Sequence, residues 1–432
     1  MKKWIALIFL LFLVSEAKGS GFYIKPLNGG EGAPTQGDAG AVFFNPAGMG
    51  LVNHFEGVLD LSLITRKIEY SRGITYTYIY KDERWIEMET SEEKKGNLLN
   101  VNPLPYIGFV IPYKRARFGI GFYAPFGTSS KWDENGAQVY QSEEGNITTF
   151  FSTAGFAYEV FRNLYLGISL SYVRSLISSK KLYNLTKVTG GYPEDPFMDA
   201  ELELDNFAGN SWNVGVGVLY ACNSSLIAGF SYTSPVNIEN HGVIRITPVG
   251  ETARILMSEN IAEAEGELKA TYPQTYKFSV DYYPFKRLRL RGYFEFVNWN
   301  QFDGFHFRFP EKTSPFIPEE MDEEQRFKDA FAVSLSSKWW WKESVAFLGT
   351  IGFDRSAIKE ATVGADLFDS DKVLFTLGAE FGLGKGFYLR ADTQQVFFMP
   401  RDVKNSTRWP SANGRYESWT GFFNINLKWV KR

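Results

Sequence analysis

The feature that most constrains this chain is a period-two alternation of apolar and polar residues, strand after strand, through its last two-thirds. Successive side chains of a strand point to opposite faces. The run Leu288-Arg289-Leu290-Arg291-Gly292-Tyr293-Phe294-Glu295-Phe296 therefore sets Leu288, Leu290, Phe294 and Phe296 against Arg289, Arg291, Tyr293 and Glu295. Ile74-Thr75-Tyr76-Thr77-Tyr78-Ile79-Tyr80 alternates in the same way and is expected to be another such strand. A soluble sandwich would bury the apolar face. A transmembrane barrel turns that face to lipid and the polar one to its lumen.

The N-terminus bears on this choice. Met1-Lys2-Lys3 is followed by an apolar run from Trp4 to Val14 and then by Ser15-Glu16-Ala17-Lys18-Gly19. This is the pattern of a secretory signal peptide over residues 1–19, with cleavage after Gly19 or after Ala17 both open. No later stretch approaches the ~20 apolar residues of a spanning helix. An exported chain of this kind is either soluble or a barrel. Aromatic residues at 17% and 40 glycines favour the barrel, which places aromatics at two interfaces and glycines in a curved wall.

A net charge of -3 argues against nucleic acid as a partner. The one cysteine, Cys222, excludes an intramolecular disulfide and falls in phase with Val214, Val216, Val218 and Tyr220, as an ordinary strand residue. His54, His241 and His306 show no metal-ligand spacing, and there is no phosphate loop or nucleophile elbow. Neither an enzyme nor a cofactor is expected.

Six connections are tight: 114–117, 161–163, 222–225, 284–287, 341–344 and 384–386. Seven longer polar stretches lie between them, at roughly 81–97, 125–146, 179–200, 239–266, 301–328, 358–371 and 401–415. These connections join fourteen strands. The expected fold is all-β, an antiparallel transmembrane barrel over residues 56–432 with short periplasmic turns, long external loops and both termini periplasmic. The last strand, with Phe423, Ile425, Leu427 and Trp429 in alternation, looks like the closing strand read by barrel insertion machinery. Two loops, Glu251–Ala264 and Pro318–Ala330, read as helical.

Residues 20–55 do not alternate. They are rich in glycine yet carry Val42, Phe43, Phe44, Met49, Leu51 and Val52, which suits a plug inside the barrel better than a solvated tail. Here the chain resembles the FadL/TodX family of outer-membrane channels for hydrophobic compounds. The resemblance rests on Asp38-Ala39-Gly40 followed by Asn45-Pro46-Ala47, then Pro125-Phe126-Gly127 and Gly209-Asn210-Ser211-Trp212-Asn213. It continues in Gly229-Phe230-Ser231-Tyr232-Thr233-Ser234-Pro235-Val236, Tyr272-Pro273 and Trp299-Asn300-Gln301-Phe302, and ends in Phe327-Lys328-Asp329-Ala330 and Gly352-Phe353-Asp354-Arg355-Ser356.

The resemblance implies a fourteen-stranded barrel closed by an N-terminal hatch, with Asn45, Pro46 and Ala47 as the hatch motif facing a lateral opening. It also implies passive uptake of lipophiles, with long-chain fatty acids leading and aromatic or other hydrocarbons close behind. The opening is expected at Pro125, Phe126 and Gly127. Only about seven residues precede that proline in strand three, fewer than the nine to eleven needed to cross, and proline donates no ladder hydrogen bond. A carboxylate ligand would need a cation; Lys328 is the first candidate, followed by Arg289 and Arg291, which structural lumen ion pairs with residues such as Glu295 explain better. The expected partners are a hydrophobic small molecule, outer-membrane lipid and the insertion machinery. A monomer is expected, although the sequence leaves oligomeric state open. The rival reading is a structural or adhesive barrel acting through its loops, and a soluble exported sandwich is a distant third.

Overall fold

The computed structural model describes residues 21–431 except 24, 26–31, 74, 75, 82, 83, 90–93, 192, 193, 259 and 313. The expected signal peptide lies outside the described residues. Among the described residues, fourteen antiparallel strands form one wall. They are β1 (Phe55–Arg72), β2 (Lys94–Tyr113), β3 (Ala116–Lys131), β4 (Glu144–Phe161), β5 (Leu164–Asn184) and β6 (Asp199–Asn223). Four strands are interrupted: β7 (Leu226–Thr233, then Val236–Pro248), β8 (Ala262–Tyr272, then Thr275–Phe285), β9 (Leu288–Val297, then Gly304–Arg308) and β10 (Glu320–Glu324, then Ala330–Lys342). The rest are β11 (Val345–Asp354), β12 (Lys372–Gly384), β13 (Phe387–Phe398) and β14 (Gly414–Lys431). β1 pairs with β14 from Phe55↔Lys431 to Arg72↔Gly414 and with β2 on its other side, so the sheet closes on itself.

The alternation is turned inside out, as lipid requires. On β9, Arg291 is 2% exposed and Phe294 is 42% exposed. On β1, Asp60 and Ser62 are buried while Leu59 and Leu63 are exposed. Six two-residue turns link β2–β3, β4–β5, β6–β7, β8–β9, β10–β11 and β12–β13. Outward aromatics gather at this end, including Tyr113, Tyr158, Tyr282, Trp339 and Trp341, with Phe387 stacked on Trp429 at 6.0 Å. Amphipathic rings favour the headgroup level, so this ring marks one interface.

The opposite ends of the strands run well beyond the bilayer. β6 has 25 residues where about nine to eleven suffice to cross. The stretches 179–200 and 239–266 were expected to be loop, yet β5 runs on to Asn184, β7 runs on to Pro248 and β8 starts at Ala262. Lys180, Arg245 and Glu263, read there as loop, lie on strand extensions and are joined across the ladder as Lys180–Glu201 at 2.7 Å, Arg245–Glu263 at 2.7 Å and Arg245–Asp205 at 2.9 Å.

Three further expectations change. Tyr76–Lys81 is not a barrel strand: it pairs with Arg84–Glu89 in a separate hairpin. The reason is that β1 and β2 already pair directly up to Arg72↔Lys94, which leaves the chain between them no place in the wall. Within Pro318–Ala330 the chain forms strand Glu320–Glu324, because the extension Gly304–Arg308 of β9 needs a partner for its ladder. The helix expected over Glu251–Ala264 is confined to Glu251–Leu256, and β8 begins at Ala262.

Residues 32–52 pack against the inner wall. Ala41–Phe44 forms one helical turn and Pro46–Leu51 a 3₁₀ helix, and nearly all of these side chains are buried. The wall makes room with inward glycines: a Cβ on Gly217 of β6 would strike the Asn45 amide, and one on Gly167 of β5 would strike the backbone at Pro46 and Ala47. Hydrogen bonds tie the segment down, from Tyr106 Oη to the Ala39 carbonyl at 2.7 Å, from Ser231 Oγ to the Phe44 carbonyl at 2.7 Å and from Thr35 Oγ1 to Asp281 at 2.6 Å. Gly217→Val should therefore leave a folded, heat-modifiable barrel but dislodge this segment. Planar-bilayer recording should then show ion conductance severalfold above wild type.

Candidate functional site: a break in the ladder beside β3

β3 leaves its neighbour partway up. Its pairing with β2 runs from Tyr113↔Ala116 to Ile107↔Phe122 and stops; the next contact between these chain segments is the isolated bridge Leu98↔Trp132. The strand itself continues to Lys131 and stays paired with β4, through a bulge in which Ala124 and Pro125 lie between Tyr123↔Phe151 and Phe126↔Thr149. The proline is thus accommodated as an extra residue and not as a strand end.

The polar groups released by this bend are served locally. Phe126 N–H donates to Thr149 Oγ1 at 3.2 Å, and that hydroxyl donates to the Phe126 carbonyl at 3.0 Å. On the edge turned away from β4, Gly127 N–H donates to the Phe22 carbonyl at 2.9 Å, and Tyr23 bridges Phe126. Two residues of the N-terminal segment thus pair with β3 just beyond the point where β2 stops doing so.

The other lip, on β2, is built for the same vacancy. A two-residue turn makes Tyr113↔Ala116 a hydrogen-bonded pair, and antiparallel bonding alternates along a strand. The odd-numbered amides of β2 therefore face β3. Pro103 and Pro105 stand at two of these positions beyond the last β2–β3 pair, so the donors they lack are those that would point into the break. The even positions, Asn102, Leu104 and Tyr106, keep the bonds to β1. This lip was missed in the sequence, although two prolines at period two in an alternating run are an edge signal.

Behind the break is a cavity of about 30 Å³ lined by Phe43, Phe44 and Pro46 of the N-terminal segment, Tyr123, Pro125 and Phe126 of β3, and Lys277 of β8, among others. Phe126 sits against Tyr272 at 5.0 Å and Tyr23 at 5.2 Å between ring centroids, and Phe22 packs edge-on to Trp299 at 4.9 Å. The Lys277 ammonium lies 4.4 Å from the Phe43 ring centroid, buried, with no carboxylate within 4.0 Å among the described residues. Its cross-strand neighbour Glu295 is bound instead by Lys25 at 2.7 Å.

The residues singled out in the sequence are placed as follows. Asn45 Nδ2 donates to the carbonyls of Pro34 at 2.9 Å and Val218 at 3.1 Å, and its Oδ1 accepts from Ala47 N–H at 3.0 Å. It ties the segment to β6; the groups freed on β3 are met by Thr149 and Phe22 instead. Pro46 lines the cavity with Pro125, Phe126 and Lys277, whereas Ala47 packs on Gly167. Arg291 grips Asp281 with two bonds, at 2.6 and 2.8 Å, and Arg289 approaches the same carboxylate at 3.9 Å. Lys328 is not among the residues lining the cavity; its backbone N–H donates to the Ala357 carbonyl.

A second, open cavity of about 500 Å³ lies at the long-loop end between Lys181, Lys187, Glu323 and Arg408. Burial, with Lys181 nearby, lowers the Lys187 ammonium below its usual range. On the outer face Glu239, His241 and Glu267 come within reach of one another, but Lys269 already pairs with Glu239 at 3.3 Å.

A closed barrel with lipid-facing apolar residues, a polar lumen, an internal N-terminal segment and a broken ladder defines a membrane channel. The chain matches, over residues 24–413, the family described as outer membrane protein transport protein (OMPP1/FadL/TodX), and it belongs to that family. It is a transport channel for hydrophobic compounds in an outer membrane and not an enzyme. Its fold is similar to a FadL homologue of Pseudomonas aeruginosa, with a TM-score of 0.80, 16% identity, and 98% of this chain and 100% of that one covered. It is also similar to the toluene transporter TodX of Pseudomonas putida (TM-score 0.68, 13% identity, 93% and 99% covered) and to the toluene transporter TbuX of Ralstonia pickettii (0.65, 14%, 96% and 99%). No curated protein sequence matches the chain.

Arg291→Ala would remove two charged hydrogen bonds from the Asp281 carboxylate and leave it Thr35 and the more distant Arg289. The folded barrel should lose about 1.5–3 kcal/mol, read from the urea midpoint of reversible unfolding in lipid vesicles.

Proposed function

We propose that the protein takes up lipophiles from the outer surface and releases them sideways into the bilayer through the break between β2 and β3. The observation that carries this reading is the loss of β2–β3 pairing above Ile107↔Phe122, with each lip stabilised without the other. Unsatisfied backbone groups in hydrocarbon cost several kcal/mol each. A gap facing lipid therefore persists only where proline removes donors or another partner replaces them, and both devices are present here. A hydrophobic solute leaving by this route stays in apolar surroundings and needs no passage through a water-filled pore.

In this reading residues 20–55 are the hatch. Asn45 holds it to β6 and to its own turn, Pro46 forms the floor of the cavity, and Pro125, Phe126 and Gly127 are the kink that makes the exit. The ring Phe22, Tyr272, Trp299 and Phe327 offers the lipophile aromatic faces above it. The candidate substrates are long-chain fatty acids and monoaromatic hydrocarbons; the toluene transporters among the similar structures support the second class, and the cation in the cavity supports the first. The short turns support a periplasmic position for that end of the barrel and for both chain termini. The protein acts as a monomer, inserted by the barrel assembly machinery and surrounded by outer-membrane lipid.

The test is uptake of radiolabelled oleate and toluene in a host whose outer membrane otherwise excludes them. Wild type should take up at least one. Pro103→Val/Pro105→Val combined with Pro125→Ala restores donors on both lips, lets the ladder close and should cut uptake at least tenfold, with barrel insertion unchanged on heat-modifiability gels. Full uptake by the variant would sink the lateral route.

A further inference from the structure

We infer that the lumen face of β1, β14 and β13 binds a monovalent metal cation, sodium in kind, between Asp60, Ser62, Asn424 and Asp392, and that the ion braces the seam where the barrel closes.

These four side chains form one patch. Ser62 stands opposite Asn424, and Asn424 opposite Asp392, in a single inward row across the three strands. Asp60 lies two residues before Ser62 on the same face, opposite Asn426. Asp60, Ser62 and Asn424 are fully buried, and Asp392 is 3% exposed. The nitrogen donors around the patch point to its carboxylates. Asn426 Nδ2 donates to Asp60 Oδ2 at 2.9 Å, Asn424 Nδ2 donates to Asp392 Oδ1, and Arg390 reaches Asp392 at 3.1 Å and Asp60 Oδ2 at 3.5 Å. Three oxygens are left over: Asp60 Oδ1, Asn424 Oδ1 and Ser62 Oγ have no hydrogen-bond partner. The Ser62 hydroxyl faces Asp60, but one O–H cannot serve three acceptors. The Asn424 amide is also oriented. Its nitrogen is held by Asp392, so its oxygen is turned away from β13, to the side where Ser62 stands.

Carboxylate, amide and hydroxyl oxygens without a donor are the ligand set of a hard cation. The charge count agrees. One guanidinium serves two carboxylates, and a buried carboxylate is stable only when paired. The nearby cations are engaged elsewhere. Arg66, on the same face of β1, donates to Thr128 Oγ1 at 3.2 Å; Lys428 lies 5.0 Å from the Tyr388 ring centroid; Lys338 binds Glu380 at 2.8 Å. One negative charge is in surplus, which a single monovalent ion cancels. The three free oxygens are closed to solvent, so the site suits a bare inorganic ion and excludes an organic one. On their other side Asp60 and Ser62 pair with Tyr106 and Leu104 of β2, the strand that bears the proline lip. An ion here stiffens β1, the neighbour that β2 keeps where β3 has left it.

The test compares thermal unfolding of the full-length barrel in a non-ionic detergent, in sodium chloride and in N-methylglucamine chloride of equal ionic strength and pH. Wild type should unfold several degrees higher in sodium, with a shift that grows with sodium concentration as ligand binding to the folded state requires. Asp60→Asn keeps the shape, removes the charge and should abolish the shift, together with the broadening of the sodium-23 resonance that wild type produces. Should Asp60→Asn fail to insert, Ser62→Ala decides: it should raise the sodium concentration at half-shift about three- to tenfold. Equal midpoints in the two salts, or a sodium shift undiminished in these variants, overturns the site. A shift given by calcium and not by sodium overturns the monovalent assignment.

Discussion

Everything in this molecule depends on one constraint: a backbone amide or carbonyl inside hydrocarbon must have a partner. Helices meet it within a segment and barrels meet it between strands, provided that no edge is left over. The β1–β14 pairing, eighteen residues long, removes the edge that an open sheet would carry. The break beside β3 is where that rule is most nearly suspended, and it holds because the vacancy is chemically prepared. Pro103 and Pro105 carry no amide hydrogen, and on the other lip Phe22 and Tyr23 of the N-terminal segment supply what β2 does not. Where β2–β3 pairing stops, missing donors on one strand and substitute acceptors on the other take its place.

The lumen follows a related rule for charge. Asp281 collects Arg291, Arg289 and Thr35; Asp60 and Asp392 share Arg390; Lys372 binds Asp369 at 2.6 Å. Such clusters weld neighbouring strands together and pin the N-terminal segment to the wall. Buried pairs of this kind do little for net stability but become costly once one member is removed. Against that background, the Lys277 ammonium is buried with no carboxylate within 4.0 Å among the described residues, and it lies in the cavity that the break adjoins.

The N-terminal segment joins the two rules. It brings Thr35 to Asp281, Lys25 to Glu295 and Phe22 to Gly127, so the same short stretch completes the lumen's charges and the freed edge of β3. Inward glycines let it approach the wall closely enough for Asn45 to reach the β6 backbone. Its position is coupled to the break through Tyr23 and Pro46, both of which line the cavity.

Much of the fold was legible along the chain. Alternation with turn signals at regular places defines strands and their number, since side-chain period and tight-turn chemistry are local properties. Pro125 was legible for the same reason: a missing amide hydrogen is a property of the residue. The same logic would have found Pro103 and Pro105. What a residue pairs with is not local. Tyr76–Lys81 alternates as well as any barrel strand, and only the direct meeting of β1 and β2 excludes it from the wall. Arg289 and Arg291 read as possible ligand cations until register sets Asp281 opposite Arg291. Lys277 drew no notice, because its lack of a counter-ion depends on Lys25, over two hundred residues away, having taken Glu295. The sequence by itself determined a closed barrel with an apolar outer face and a kinked third strand; only the tertiary structure decided which charges cancel and which is left over, because ion pairing is set by distance across strands and not by order along the chain.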